Sequence, residues 1–178
     1  MGQQMEQLIR DDSGSKIDSE QELLHLLKYK AGFAEILVPE FQQDGWEVRL
    51  ENPPQAYMHV SRPEWGDERM NGIHLETYVL RQQFYDGVAP VALHCEGGSP
   101  VACAEFKRRI AEKCCDLVRS WGTGEWKFAK EHSSCSVFEV LAPLSPDSRE
   151  TLEKLAVELR RLRTIGPMID SVIRDLKV

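Results

Sequence analysis

The stretch NGIHLETYVLRQQFYDGVAPVALHCEGGSP, residues 71–100, decides how this chain is read. On either side of Asp86-Gly87 it alternates with a period of two, the spacing of a strand with one wet and one dry face. In the first half the odd positions Ile73, Leu75 and Val79 are apolar, and the even positions His74, Glu76 and Tyr78 are polar. The second half repeats the parity, with Val91, Leu93 and Cys95 against His94 and Glu96. Both halves therefore carry His-x-Glu on the even side.

If the two apolar rows share a core, odd must pair with odd, because a one-residue slip moves every side chain to the other face. A two-residue Asp86-Gly87 turn pairs odd with even. The pattern instead predicts a three-residue loop, Tyr85-Asp86-Gly87, with Gly87 in the left-handed bulge position and Phe84 opposite Val88. Carried along the ladder, that register sets Glu76 opposite Glu96 and Tyr78 opposite His94.

Two carboxylates facing each other across a ladder, with Cβ atoms about 5 Å apart, repel unless something neutralises them. A divalent metal between them with His94 or His74 as nitrogen ligand is one remedy. A retained proton on one carboxyl is another, and a basic side chain from a neighbouring strand or a partner is the third. His59 and Ser61, in a strand expected over 57–62, fall on the same side and add an imidazole.

Outward from the hairpin the period changes. Upstream, Trp46, Val48 and Leu50 alternate as a further strand, and Leu23, Leu24, Leu27, Ala31 and Ala34 give a helix its apolar side from Ser19 onward. Gly32 and Pro39 weaken or kink that helix. Downstream, Cys103, Phe106, Ile110, Cys114, Leu117 and Trp121 form a helical stripe opened by Ser99-Pro100. Two strands follow at 124–130 and 135–142, and then a leucine-striped helix from "SPDSRE" that breaks at Gly166-Pro167. The fold class is thus α+β: a single antiparallel sheet of about six strands with helices packed on one face, in the order α-ββββ-α-ββ-α. Residues 1–18 are expected to be a polar tail and 19–178 one domain.

A length of 178 residues with 42% hydrophobic content suits one core of that size. The net charge of −7 repels nucleic acid and anionic lipid, so neither is an expected partner. Residues 1–16 show no secretory or membrane-spanning signal, and the expected location is the cytoplasm. Five cysteines, with no CxxC pair, predict reduced thiols in place of a disulfide framework or a zinc ribbon. The GxSxG, Walker, GxGxxG and HExxH patterns are all missing from the sequence.

In element order the chain is similar to the small acidic chaperones of type III secretion, which the resemblance makes dimeric protein-binding modules. The extra strand and the long last helix depart from that family. The leading functional expectation is accordingly a non-catalytic, chaperone- or adaptor-like module needing no cofactor. It would bind a protein partner, or dimerise, through the open sheet face or through Leu152, Leu155, Leu159 and Leu162. Its binding residues are expected to be His74, Glu76, Tyr78, His94, Glu96 and Trp65, the last either anchoring its loop or marking a contact surface. The alternative is a metal-dependent hydrolase with Glu76, Glu96 and His94 as catalytic residues, and with His74 or His59 completing the ligands.

Overall fold

A computed structural model describes residues 20–50, 56–66, 72–96, 100–122, 126–128 and 135–176. The expected tail, Ser19, Ser99 and most of the strand expected over 124–130 lie outside the described residues. Six strands form one antiparallel sheet: β1 (Glu47–Leu50), β2 (Ala56–Ser61), β3 (Ile73–Val79), β4 (Val88–Cys95), β5 (Lys127–Phe128) and β6 (Ser136–Pro143). Their spatial order is β1-β2-β3-β4-β6-β5. The helices are α1 (Glu20–Gly32), α2 (Val38–Gln43), α3 (Arg81–Asp86), α4 (Pro100–Ser120), α5 (Ser148–Thr164) and α6 (Gly166–Leu176). The α+β class, with helices on one face of the sheet, is as the sequence predicts.

The register explains the two faces. One row crosses the sheet as Val48, Val60, Leu75, Leu93 and Phe138. It faces the helices: α5 touches β3, β4 and β6, α1 touches β2, and α4 reaches β4 and β6 while packing on α6. Phe33, Leu37, Phe41, Phe106, Ile110, Leu155 and Leu159 close over it, fully or almost fully buried. Leu152, Leu155, Leu159 and Leu162 belong to this core and are spent on their own domain.

Two helix irregularities fall where the sequence weakens the helix. Between α1 and α2, Phe33–Leu37 forms a wide turn in which the Val38 N–H bonds to the Phe33 carbonyl. Gly32 opens this turn, and Pro39, which has no N–H to donate, follows it. The second break, at Ile165 between α5 and α6, precedes Gly166-Pro167 as expected.

The 80–87 connection corrects the predicted loop. A six-residue helix, Arg81–Asp86, stands where the sequence pattern carried the ladder on to Phe84 and placed a three-residue loop. Leu80 is extended, the Phe84 N–H bonds to the Leu80 carbonyl, and Gly87, at φ 69°, ends the turn with its N–H on the Gln83 carbonyl. Gly87 has the left-handed role foreseen for it, but as a helix C-terminus. Arg, Gln and Gln are good helix formers, and one turn of helix absorbs residues that the alternation appeared to assign to the ladder.

That turn shifts the pairing. His74 faces His94, Leu75 faces Leu93 and Glu76 faces Ala92. Glu76 does not face Glu96, and Tyr78 faces Tyr57 on β2 and not His94. The displacement is even-numbered, so every side chain keeps its expected face.

Trp65 is 3% exposed, and its ring meets Trp46 edge-on at 5.2 Å. Its Nε1–H donates to Asp170 Oδ1 at 2.7 Å, while Arg62 Nη1 donates to the other carboxylate oxygen at 2.8 Å. Trp65 therefore anchors its loop to α6. It offers no contact surface, against its place among the expected binding residues.

Candidate metal centre on the polar sheet face

The row adjacent to the core row crosses all six strands on the opposite face: Arg49, His59, Glu76, Ala92, Glu139 and Lys127. Next to it run His74, His94 and Ser136 on one side, and Tyr57 with Tyr78 on the other. An open antiparallel face is ordinarily solvated. Here His59, His74 and Glu76 are 5%, 0% and 1% exposed.

Part of that burial comes from the side chains stacking on one another. The Tyr78 and Tyr57 rings are parallel at 4.9 Å, Tyr57 lies 4.7 Å from His59, and His59 stacks on His74 at 4.4 Å. His94 continues the series at 5.6 Å from His74 with a steep tilt. This aromatic row runs beside the Glu76 carboxylate.

Four polar groups converge on one oxygen, Glu76 Oε2. The Tyr57 hydroxyl donates to it at 2.7 Å. His94 Nδ1 stands at 3.2 Å, His74 Nε2 at 3.4 Å and His59 Nε2 at 3.7 Å. His94 Nδ1 also lies 3.4 Å from Glu96 Oε1, so the imidazole sits between the two carboxylates that the sequence set face to face. Burial, the largest influence, pushes the Glu76 carboxyl up, but His74, His94 and Tyr57 outweigh it and hold it well below the usual carboxylate range. A buried, ionised carboxylate results. Its desolvation costs several kcal/mol unless cations or donors surround it.

The other groups are tuned to match. Burial, and then the neighbouring Glu76 charge, push the Tyr57 hydroxyl up, so it keeps its proton and remains a donor. Burial and then His74 lower His59 to about 4, with Glu76 opposing and His94 and Arg49 assisting. His59 is accordingly neutral near pH 7, the state in which imidazole ligates metals.

His94 gives a further constraint. Its Nε2 is 2.9 Å from Ser136 Oγ, which also donates to Glu139 Oε2 at 3.4 Å. A neutral imidazole carries one N–H: if Nε2–H donates to Ser136 Oγ, the Nδ1 lone pair is left facing the two carboxylates. Buried His94 Nδ1 and His59 Nδ1 make no hydrogen bond among the described residues. A cation shared between Nδ1 and the carboxylates removes that conflict.

The distances suit such a cation. Donors about 2.1 Å from a tetrahedral ion stand about 3.4 Å from one another, and the imidazole nitrogens lie 3.2 to 3.7 Å from Glu76 Oε2. Two triads have ligand atoms within 4.8 Å of each other, His59/His74/Glu76 and His74/His94/Glu96, and they share His74. The inner triad is buried, whereas His94 and Glu96 are partly exposed.

Of the residues singled out in the sequence, His59, His74, Glu76, His94 and Glu96 come together, Tyr78 flanks them through Tyr57, and Trp65 is elsewhere. Sequence reasoning missed Tyr57, Ser136 and Glu139. Tyr57 was findable, since it has the parity of His59 in the same strand. Ser136 was not, because its place depends on an irregularity in the β4–β6 register between Leu93 and His94.

If Tyr57 holds the Glu76 carboxylate as described, Tyr57→Phe should destabilise the metal-free protein by about 1.5–3 kcal/mol, the range for a hydrogen bond to a charged group. Urea unfolding at neutral pH measures this. Compared with protein-family models, characterised proteins and solved structures, the chain matches none. Among the described residues no helix is long and apolar enough to cross a membrane.

Proposed function

We propose that this protein binds a divalent transition-metal ion on its polar sheet face and performs metal-assisted hydrolysis there. The observation that carries the reading is the convergence of three imidazoles on one oxygen of a buried, ionised glutamate. Imidazole nitrogen combined with carboxylate oxygen suits zinc, iron, nickel or copper better than calcium or magnesium. His74, common to both triads, with His59 and Glu76 forms the inner ligand set, and His94 and Glu96 complete it toward solvent. An ion held this way supplies Lewis acidity and an acidified water.

The chain's own groups have distinct tasks. Tyr57 fixes the Glu76 carboxylate and blocks its rotation. Ser136 and Glu139 hold the His94 ring by its Nε2 edge, keeping Nδ1 toward the ligands. Glu96, 30% exposed at the solvent edge of the patch, would accept a proton from a bound water when the inner triad alone holds the ion.

The test is equilibrium dialysis of the purified chain against Zn²⁺ or Mn²⁺, followed by elemental analysis. One ion per chain is expected, falling to background in His74→Ala. Stoichiometric binding that survives His74→Ala, or no retention of either ion by the unmodified chain, refutes the reading.

A second reading, a protein-binding module, keeps one supporting observation. Leu141 and Val157 are exposed along a groove that Val140, Ala142, Pro143, Lys154 and Glu158 also line, where β6 meets α5. Light scattering behind size exclusion distinguishes a dimer from a monomer, and Leu141→Asp should dissociate any dimer built on that groove.

A further inference from the structure

Cys95 ends β4 and Cys103 lies in the first turns of α4. Their sulfurs are 3.2 Å apart. The Cys95 thiol donates a hydrogen bond to the Cys103 sulfur at this distance, which holds the two sulfurs within reach of bond formation. We propose that Cys95 and Cys103 are a redox-active dithiol that closes to an intramolecular disulfide when hydrogen peroxide oxidises it.

The surroundings assign the two roles. Cys95 is 8% exposed, and its backbone N–H is tied to the Cys135 carbonyl at 2.9 Å. Cys103 is half-buried and so is the sulfur that peroxide can reach. Its sulfur attacks the peroxide O–O bond, which breaks: Cys103 becomes a sulfenic acid, the thiol proton passes to the departing oxygen, and one water leaves. The Cys95 sulfur then attacks the Cys103 sulfur, an S–S bond forms, the S–O bond breaks, and the Cys95 proton leaves with the hydroxyl as a second water. Two thiols lose two electrons in total and one hydrogen peroxide gains them. Closing from 3.2 Å to the bond length of about 2.05 Å needs a side-chain rotation and a small backbone adjustment.

Cys135 is the competitor. It is exposed and immediately precedes β6, the strand paired with the end of β4. Cys114 and Cys115 lie about three turns further along α4 and are out of reach.

The proposal stands apart from the metal reading and is tested on reduced, chelator-treated protein. One equivalent of hydrogen peroxide should lower the mass by two hydrogens, and a non-reducing peptide map should link the peptides that contain Cys95 and Cys103. Dithiothreitol should reverse the change. Cys135→Ser should leave the link intact, and Cys103→Ala, a mild change at a half-buried position, should abolish it while keeping the native circular dichroism spectrum. Linkage to Cys135 instead, stable sulfinic acid at Cys103, or thiols that stay reduced in the folded chain but oxidise once it is unfolded would each overturn the proposal.

Discussion

Adding Zn²⁺ at about a hundred times its dissociation constant should raise the melting temperature of the metal-free protein by roughly 5–10 °C. A ligand that binds only the folded state stabilises it by about 2.7 kcal/mol at that excess, and each kcal/mol moves a domain of this size by about 2–4 °C. The shift depends on ligands from three strands, His59 on β2, His74 and Glu76 on β3 and His94 on β4, which the unfolded chain cannot bring together. His74→Ala removes the ligand common to both triads and should abolish the zinc-dependent increment, whatever it does to the metal-free melting temperature. Glu96→Gln should reduce the increment without abolishing it, because the inner triad is intact. An increment of full size in His74→Ala would mean that the ion sits elsewhere. Differential scanning fluorimetry, with and without chelator, measures all of these.

Between pH 6.5 and pH 4 the metal-free protein should lose up to about 3 kcal/mol of stability through His59 alone. An unfolded histidine titrates near 6.5, whereas burial and the neighbouring His74 hold His59 at about 4 in the folded chain. Within that window the unfolded state binds more protons than the folded one, so stability falls as pH falls. Above about 6.5 both states are neutral at this residue and nothing is lost; below about 4 both are charged and the loss is complete. Glu76 works in the same sense at still lower pH, since its depressed carboxyl contributes stability that disappears only as the folded group is finally protonated. The control is His59→Gln, which should flatten the curve in the 4–6.5 window while leaving the acid limb below it. Parallel curves for the two proteins would show that His59 carries no buried neutral imidazole. Chemical denaturation at fixed pH steps provides the curves.

The sheet and its faces were legible because parity survives errors of register. Ile73, Leu75, Leu93 and Cys95 had to share a core, and that alone put His74, Glu76, His94 and Glu96 on one side. The pairing was not legible. Residues 80–86 carry no apolar period clear enough to separate a strand end from one turn of helix, and a helical turn ending at Gly87 uses the same glycine as a bulged hairpin. The error moved Glu76 from Glu96 to Ala92 and exchanged a carboxylate pair for a carboxylate ringed by imidazoles. Burial of the patch was equally out of reach. Alternating His and Glu reads as a solvated face, and only the three-dimensional stacking of Tyr57, His59 and His74 shows otherwise. Trp65 illustrates the reverse case, a tryptophan in a polar segment whose partners, Trp46 and Asp170, lie far off in the chain.

Zinc bound by the His/Glu patch differs in its ligand atoms from zinc bound by thiolates, such as Cys95 on the core side of the same sheet, or by surface carboxylates. X-ray absorption at the zinc edge of the loaded protein separates them most directly. The expected spectrum has a first shell of nitrogen and oxygen at about 2.0–2.1 Å, with the multiple-scattering pattern of two or three imidazoles. A sulfur shell at about 2.3 Å, or an all-oxygen shell with no imidazole scattering, would contradict it.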